Sequence, residues 1–364
     1  MNYSHRVEAL QRALPGLKCD ALVVSNLTNV RYLCGFTGTS GMVVVLKDET
    51  HFITDFRYRS QAAQQIPPFF TTVIGEVGLW KKACELLKDK FKRRRAARLG
   101  FEAEHVSVAT FEEITELLKP ITPVSTKGVV EDLRMRKDAD EIKIIRRAVA
   151  VADASFEYIC GVLKPGMTEI EVADELERAM KARGASGPSF STIVASGKRS
   201  ALPHGIASKK KLAKGDLVTI DMGALVDGYC SDMTRTVCLG KPTSRQQEIY
   251  ELVWQAQTTA ATSLRPGLGC VDADSIARKI IEDAGYGDQF GHGLGHAVGL
   301  NIHEQPRLSK LGQGNLEPGM VMTCEPGIYI EGWGGVRIED MIVITEDGAQ
   351  ILTRSPKPRE IIAL

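Results

Sequence analysis

One stretch of this chain is written twice, and few folds accommodate that. Residues 212–223 and 316–327 align without a gap: Leu212 with Leu316, Gly215 with Gly319, Asp221 with Glu325, Gly223 with Gly327. In each copy an acid interrupts a run that otherwise reads as a buried strand, Leu217 to Ala224 in the first. Asp227 and Gly228 then favour a tight hairpin turn, and Ser231 to Cys238 reads as the returning strand, with Asp232 near its start. In the second copy a glycine-rich turn from Gly332 to Gly335 leads to Glu339, the counterpart of Asp232. An echo precedes each hairpin. Lys164-Pro165-Gly166 opens a stretch ending at Gly184, and Arg265-Pro266-Gly267 opens one ending at Gly285, at equal spacing. The C-terminal two-thirds therefore reads as two copies of a helix-helix-hairpin unit.

The acids are the informative part. A lone carboxylate inside an apolar strand is costly to bury unless it is paired or bound to a cation. Folding about Asp227-Gly228 sets Asp232 diagonal to Asp221 on one face, about 7–8 Å away along the backbone, close enough for both side chains to reach one small ion. A single such pair is also compatible with two solvated edge carboxylates. Two copies facing each other bring Asp221, Asp232, Glu325 and Glu339 together, and four unneutralised carboxylates would repel strongly, so cations are expected.

Histidines cluster in the same region: His204, His292, His296 and His303 are four of the seven. The stretch from Phe290 to Leu300 is too rich in glycine for a comfortable helix and lacks the glutamate of the H-E-x-x-H zinc motif. Its glycines instead allow backbone to approach a ligand or another strand closely. Carboxylates with one or two imidazoles make an oxygen-rich site that suits manganese, cobalt or iron, with zinc possible. Four carboxylates can hold two ions about 3.5–4 Å apart, and such a pair can generate hydroxide at neutral pH and polarise a carbonyl. No G-x-S-x-G motif competes. The chemistry that fits is hydrolysis of an acyl bond, a peptide above all. Arg337 shares a strand face with Glu339 and is expected to point toward metal or substrate; Tyr329 shares parity with Glu325 and could line the pocket.

The rest of the chain sets the frame. Its 364 residues suffice for two domains, and a net charge of +1 suggests no nucleic-acid partner. The N-terminus lacks a basic-then-apolar signal pattern, and no apolar run nears the roughly 20 residues of a membrane helix. Eight scattered cysteines with no C-x-x-C read as reduced core residues, which favours the cytoplasm. Residues 1–125 read as one α/β domain. Its helices are expected around Val7 to Leu14, from Tyr58 to Gln65 and from Leu79 to Phe91; its strands are at Ala21 to Val24, Met42 to Leu46, His51 to Thr54 and Ala97 to Phe101. Gly35 to Gly41 is not a phosphate loop, and the basic run Lys92 to Arg95 reads as a solvated helix end. Pro120 to Gly128 reads as a linker. Asp138 opens a long amphipathic helix, and Thr168 with Glu171 makes a capping box for the next.

With these residues in view, the chain resembles the pita-bread metallopeptidases, in their creatinase/prolidase/aminopeptidase P branch, over essentially its whole length. The resemblance implies an α/β creatinase-like N-terminal domain at 1–127 and an α+β pita-bread catalytic domain at 128–364 with an internal pseudo-two-fold duplication. It also implies five metal ligands, Asp221, Asp232, His296, Glu325 and Glu339, holding two divalent ions, expected to be manganese, with cobalt or zinc as alternatives. His204 and His303 would steady the carbonyl and the tetrahedral intermediate, Glu325 would double as the proton-transfer carboxylate, Arg337 would join them, and His292 and Tyr329 would handle substrate. Methionine aminopeptidases lack this N-terminal domain, and creatinase keeps fewer metal ligands. The motif from Tyr32 to Gly41 is similar to short prokaryotic aminopeptidase P-like proteins. The expected activity is therefore cleavage of small peptides before a proline in second position, releasing the first residue. Xaa-Pro dipeptidase (prolidase) is the alternative, and an inactive binding protein is disfavoured because all five ligand positions are filled. A homodimer is implied by the same resemblance.

Overall fold

The computed structural model describes every residue except Glu76, Val77 and Arg95. The chain divides into two compact units, Met1–Arg134 and Met135–Leu364.

The first unit runs α1 (Tyr3–Ala13), β1 (Ala21–Val24), α2 (Leu27–Cys34), β2 (Met42–Leu46), β3 (Thr50–Asp55), α3 (Arg59–Gln65), β4 (Thr71–Gly75), α4 (Leu79–Phe91), β5 (Arg98–Glu102), α5 (Val108–Leu118), β6 (Thr122–Thr126) and α6 (Val129–Met135). Its six strands form one sheet in the order β4-β3-β2-β1-β5-β6, antiparallel at β1/β2 and β2/β3 and parallel elsewhere. β1, β2 and β3 are buried along their whole length, which is why they read as continuous apolar runs. The segment expected to be a linker is a correction: Thr122–Thr126 pairs in parallel with β5 as the edge strand β6. Pro123 sits within it because an edge strand can spare a donor. Of the basic run, Lys92 to Arg94 follow the end of α4, and Arg95 lies outside the described residues.

The second unit contains α7 (Ala139–Val162), α8 (Glu169–Ala182), β7 (Gly187–Pro188), β8 (Ile193–Ser196), β9 (Leu217–Met222), β10 (Ala224–Val226), β11 (Tyr229–Cys230) and β12 (Met233–Cys238). It continues with α9 (Ser244–Ser263), α10 (Cys270–Asp283), β13 (Gly295–Ala297), β14 (Glu304–Leu308), β15 (Val321–Cys324), β16 (Gly327–Ile330), β17 (Gly334–Arg337), β18 (Asp340–Thr345) and β19 (Gly348–Ile351). Asp138 and Thr168 both close capping boxes at the starts of α7 and α8. The duplication is physical. Each half lays a helix pair on antiparallel strands, β8-β9-β12 in the first and β13-β15-β18 in the second, and each has its own apolar core. The echoed glycines share left-handed backbone: Gly166 and Gly267 at φ 96° and 81°, Gly184 and Gly285 at 100° and 84°, Gly215 and Gly319 at 89° and 87°. Only glycine adopts such angles freely, so the repeat survives where the backbone demands it. Between β10 and β11, Asp227 and Gly228 both have positive φ (46° and 78°), the geometry of the hairpin turn their sequence favours. Among the described residues no helix is long and apolar enough to cross a membrane, and the cysteines are unpaired and, but for the half-buried Cys160, buried.

Candidate metal and substrate site

The acids meet at the ends of these strands. Asp221 lies in β9 opposite Thr234 of β12, so Asp232, two residues before Thr234, shares its face. Glu325 follows β15 directly, and Glu339 sits between β17 and β18. His296 is in β13, where the glycines earn their place: a Cβ on Gly295 would stand 2.2 Å from the Thr323 carbonyl oxygen. All four acids, together with His204, His292, His296, His303 and Arg337, line one cavity of about 460 Å³ within the second unit. Phe190, Ile193, Pro203, Ile206 and Ile302 supply its apolar wall.

Asp232, His296 and Glu339 are buried, and each offers a ligand atom within 4.8 Å of the other two. His296 Nε2 is 3.6 Å from Asp232 Oδ2 and 3.5 Å from Glu325 Oε1. Its Nδ1 lies 3.1 Å from the Ala297 carbonyl oxygen, which fixes the proton on Nδ1 and leaves Nε2 as a lone pair facing the acids. Burial holds this imidazole neutral, down at about 4. Burial, then the neighbouring acids, push Asp232 and Glu339 well above the usual carboxylate range. Burial first, with Asp221 adding, pushes Glu325 to about 7 even though Arg337 pulls the other way. Asp221 Oδ1 and Glu339 Oε1 are buried without a hydrogen-bond partner. Orphaned carboxylate oxygens, mutual repulsion and an aimed imidazole lone pair together fit divalent cations.

A hydrogen-bonded chain frames the cluster. Arg337 donates from Nη2 to Asp221 Oδ2 (2.7 Å), from Nη1 to the Tyr329 hydroxyl (2.8 Å) and the Pro203 carbonyl (3.1 Å), and from Nε to Thr234 Oγ1 (3.0 Å). Thr234 in turn donates to Glu339 Oε2 at 2.8 Å. His292 Nδ1 lies 2.8 Å from the Gly293 carbonyl, so its Nε2, 2.9 Å from Tyr329, accepts that hydroxyl's proton. Arg337 thus ties an acid of the first half to the histidine strand of the second and, through Pro203, holds the segment that carries His204. His204 and His303 are exposed on the cavity wall, and His303 stacks edge-on against His296 with ring centroids 4.4 Å apart. Tyr329, expected to handle substrate, hydrogen-bonds His292 and Arg337 and is not among the described residues that line the cavity.

Several residues here escaped the sequence reading. Thr323 accepts from the His296 backbone N–H and donates to Glu325. Arg278, paired with Asp274 at 2.6 Å, donates to the carbonyls of Phe290 and His292, while Asp274 accepts from Leu294 N–H, so a buried ion pair on α10 shapes the histidine stretch. Lys137 and Glu304, both buried, pair at 3.1 Å beside His303. Arg307 lines the cavity with no acid in ion-pair reach among the described residues. The Asp274–Arg278 pair had an i,i+4 signal and Thr323 lies two residues from Glu325, whereas Lys137–Glu304 and Thr323–His296 meet only in the fold.

Residues 143–346 match the family model for metallopeptidase family M24, and residues 6–136 match the creatinase/prolidase N-terminal domain. The chain belongs to metallopeptidase family M24. It is 44% identical over 359 residues to an uncharacterized peptidase, YqhT, of Bacillus subtilis (99% of this chain, 100% of that one). It is 40% identical over 357 residues to the Xaa-Pro dipeptidase of Pyrococcus furiosus (97% and 98%). Among solved structures, the Xaa-Pro dipeptidase from Bacillus anthracis superposes with a TM-score of 0.96 at 42% identity, covering 100% of both chains. The X-Pro aminopeptidase from Thermotoga maritima gives 0.88 at 36% identity, covering 97% of this chain and 100% of that one. The two-domain creatinase and pita-bread architecture expected from the sequence is thereby confirmed. M24 membership makes the chain a metallopeptidase, with divalent metal as its cofactor.

Proposed function

We propose that this M24 peptidase is an Xaa-Pro dipeptidase: it hydrolyses the bond before proline in dipeptides, using two divalent ions, manganese in this reading, held by Asp221, Asp232, His296, Glu325 and Glu339. The observation that carries the dipeptidase reading is Arg307. A dipeptidase must neutralise the free carboxylate of proline, which needs a cation with donors to spare. Arg337 is not that cation, because four of its five N–H groups are already committed to Asp221, Tyr329, Pro203 and Thr234. Arg307 lines the same cavity and has no ion-pair or side-chain hydrogen-bond partner among the described residues. The relatives named Xaa-Pro dipeptidase point the same way.

When bound, the metal pair supplies a nucleophile from water at neutral pH and polarises the scissile carbonyl. The protein's own groups do the rest. Glu325 takes the proton from water and hands it to the departing proline nitrogen. His303 and His204 hydrogen-bond the carbonyl oxygen as it gains charge. Arg337 and Tyr329 hold Asp221, His292 and the His204 segment in place, and the apolar wall packs against the proline ring. In this reading the enzyme works in the cytoplasm as a homodimer.

Aminopeptidase P activity, which the motif near Gly35 favours, is the second reading, and the likeness to the Thermotoga maritima X-Pro aminopeptidase supports it. The manganese-loaded enzyme, offered Xaa-Pro and the same sequence extended by several residues, separates the two. Cleavage of the dipeptide alone is expected. Release of the first residue from the longer peptide at comparable kcat/KM replaces the dipeptidase reading with aminopeptidase P. Arg307→Met should raise KM for the dipeptide more than it lowers kcat; an unchanged KM would show that Arg307 does not bind the substrate carboxylate.

A further inference from the structure

Two cations that the chemistry above does not use lie behind the second pair of acids, Arg235 buried and Lys357 half-buried. Arg235 of β12 is 1% exposed, and every one of its donors is satisfied. Nε reaches the Pro356 carbonyl at 3.3 Å; Nη1 reaches those of Thr234 (3.0 Å) and Glu339 (2.5 Å); Nη2 reaches Asp340 Oδ1 and the Ser355 carbonyl, both at 2.8 Å. The other oxygen of Asp340 accepts from Lys357 Nζ at 2.5 Å and Gln257 Nε2 at 3.0 Å. Gln257 also donates to the Cys324 carbonyl at 3.3 Å and accepts from Lys357. Cys324 and Asp340 face each other across β15 and β18, and each adjoins an acid of the site, Glu325 and Glu339. The network therefore grips both strand ends that present the second half's carboxylates, and Lys357 reaches it from the C-terminal segment.

The first half of the duplication shows that the fold does not need it. By the spacing of the repeat, Phe156, Ile220 and Met233 stand where Gln257, Cys324 and Asp340 stand. All three are buried in one apolar cluster. Apolar packing of similar volume is often as stabilising as a buried ion network, or more so. The same place is thus filled in two ways, and the version that is harder to desolvate stands behind Glu325 and Glu339.

We infer that Lys357 and Arg235 are positioning residues of the metal centre. They fix Glu339 and Glu325 through Asp340, Gln257 and the strand carbonyls. Lys357 lies beyond residue 346, where the M24 match ends, so the C-terminal segment belongs to the support of the centre. The inference rests on the acids holding divalent ions and is independent of which peptide is cut.

The test uses the full chain, stripped of metal and titrated with manganese alone by calorimetry, with thermal denaturation alongside. Lys357→Met should weaken manganese binding about 10- to 100-fold, the usual range for losing an outer-shell partner. Lys357→Arg should restore most of it. In turnover assays Lys357→Met should lower kcat at limiting manganese, recover in excess manganese and leave KM for substrate unchanged. Should Lys357→Met not fold, Gln257→Met, which moves the network toward the apolar filling of the first half, carries the same test. Wild-type manganese affinity in either folded variant, whatever its Tm, overturns the inference. Absence of manganese binding by the wild-type chain would instead overturn the metal reading of the site and the inference with it.

Discussion

The two halves of the second unit keep the same skeleton and fill it differently. Each lays a helix pair on antiparallel strands and places two acids at the strand ends. Behind Asp221 and Asp232 the filling is apolar, whereas behind Glu325 and Glu339 it is the Arg235–Asp340–Lys357 network. The helices differ in the same sense. Asp274 and Arg278 of α10, which shape the histidine stretch, stand where α8 has Ala173 and Glu177 by the spacing of the repeat. His292, His296, His303, Arg307 and Arg337 all come from the second half, while the first adds His204 to its two acids. The two halves match where the backbone and the acids require it, and most of the polar groups around the cavity lie in the second half.

The comparison breaks first at the acids themselves. If both halves contribute ligands to one centre, Asp232→Ala and Glu339→Ala should be equally damaging, each losing metal and cutting turnover by more than the roughly 100-fold that bounds an outer-shell loss. Metal content by elemental analysis and kcat under metal-replete conditions check this. Near-normal turnover in either variant would mean that half is dispensable.

Next come the two fillings. Phe156→Ala removes a fully buried ring and should cost about 3–5 kcal/mol of stability while leaving manganese affinity unchanged. Arg278→Met leaves Asp274 buried and unpaired and should cost a similar amount, about 3–5 kcal/mol. It should also lower kcat, because the Phe290 and His292 carbonyls lose their donor. Denaturant melts with parallel kinetics separate the pair. A loss of manganese affinity in Phe156→Ala would show that the first half's core also tunes the centre.

Much of this was legible in the sequence because it is local or repeated. An acid in an apolar strand, a turn that needs two positive φ angles and glycines at matched spacing each point to one local structure, and the fold confirms the hairpin at Asp227-Gly228. What stayed hidden depends on tertiary approach. Prolines and a glycine made residues 120–128 look like a linker, but an edge strand tolerates them, and β6 is one. Arg307 gave no signal, since a charged residue in a short strand is ordinarily a solvated one. Lys357, Gln257 and Asp340 are separated by 17 to 100 residues and meet only in the folded chain.

The smallest expected effect concerns pH and tests whether the halves are electrically one site. Glu325 in the metal-free protein is raised to about 7, by burial first and Asp221 after it. Its contribution to stability is fully present below its unfolded value of about 4.5 and is lost as pH rises through 7. Burial lowers His292 and His296 to about 4, so theirs is present above about 6.5 and is lost as pH falls toward 4. Metal binds the ionised carboxylates and releases protons, so the same manganese concentration should raise Tm more at pH 8 than at pH 6. Asp232 is raised by burial and then by Glu339 of the other half, so the alkaline loss belongs to both halves jointly. Asp232→Asn and Glu325→Gln should each flatten the Tm-against-pH curve of the metal-free protein above pH 6. If only the second-half substitution does so, the carboxylates of the two halves titrate independently.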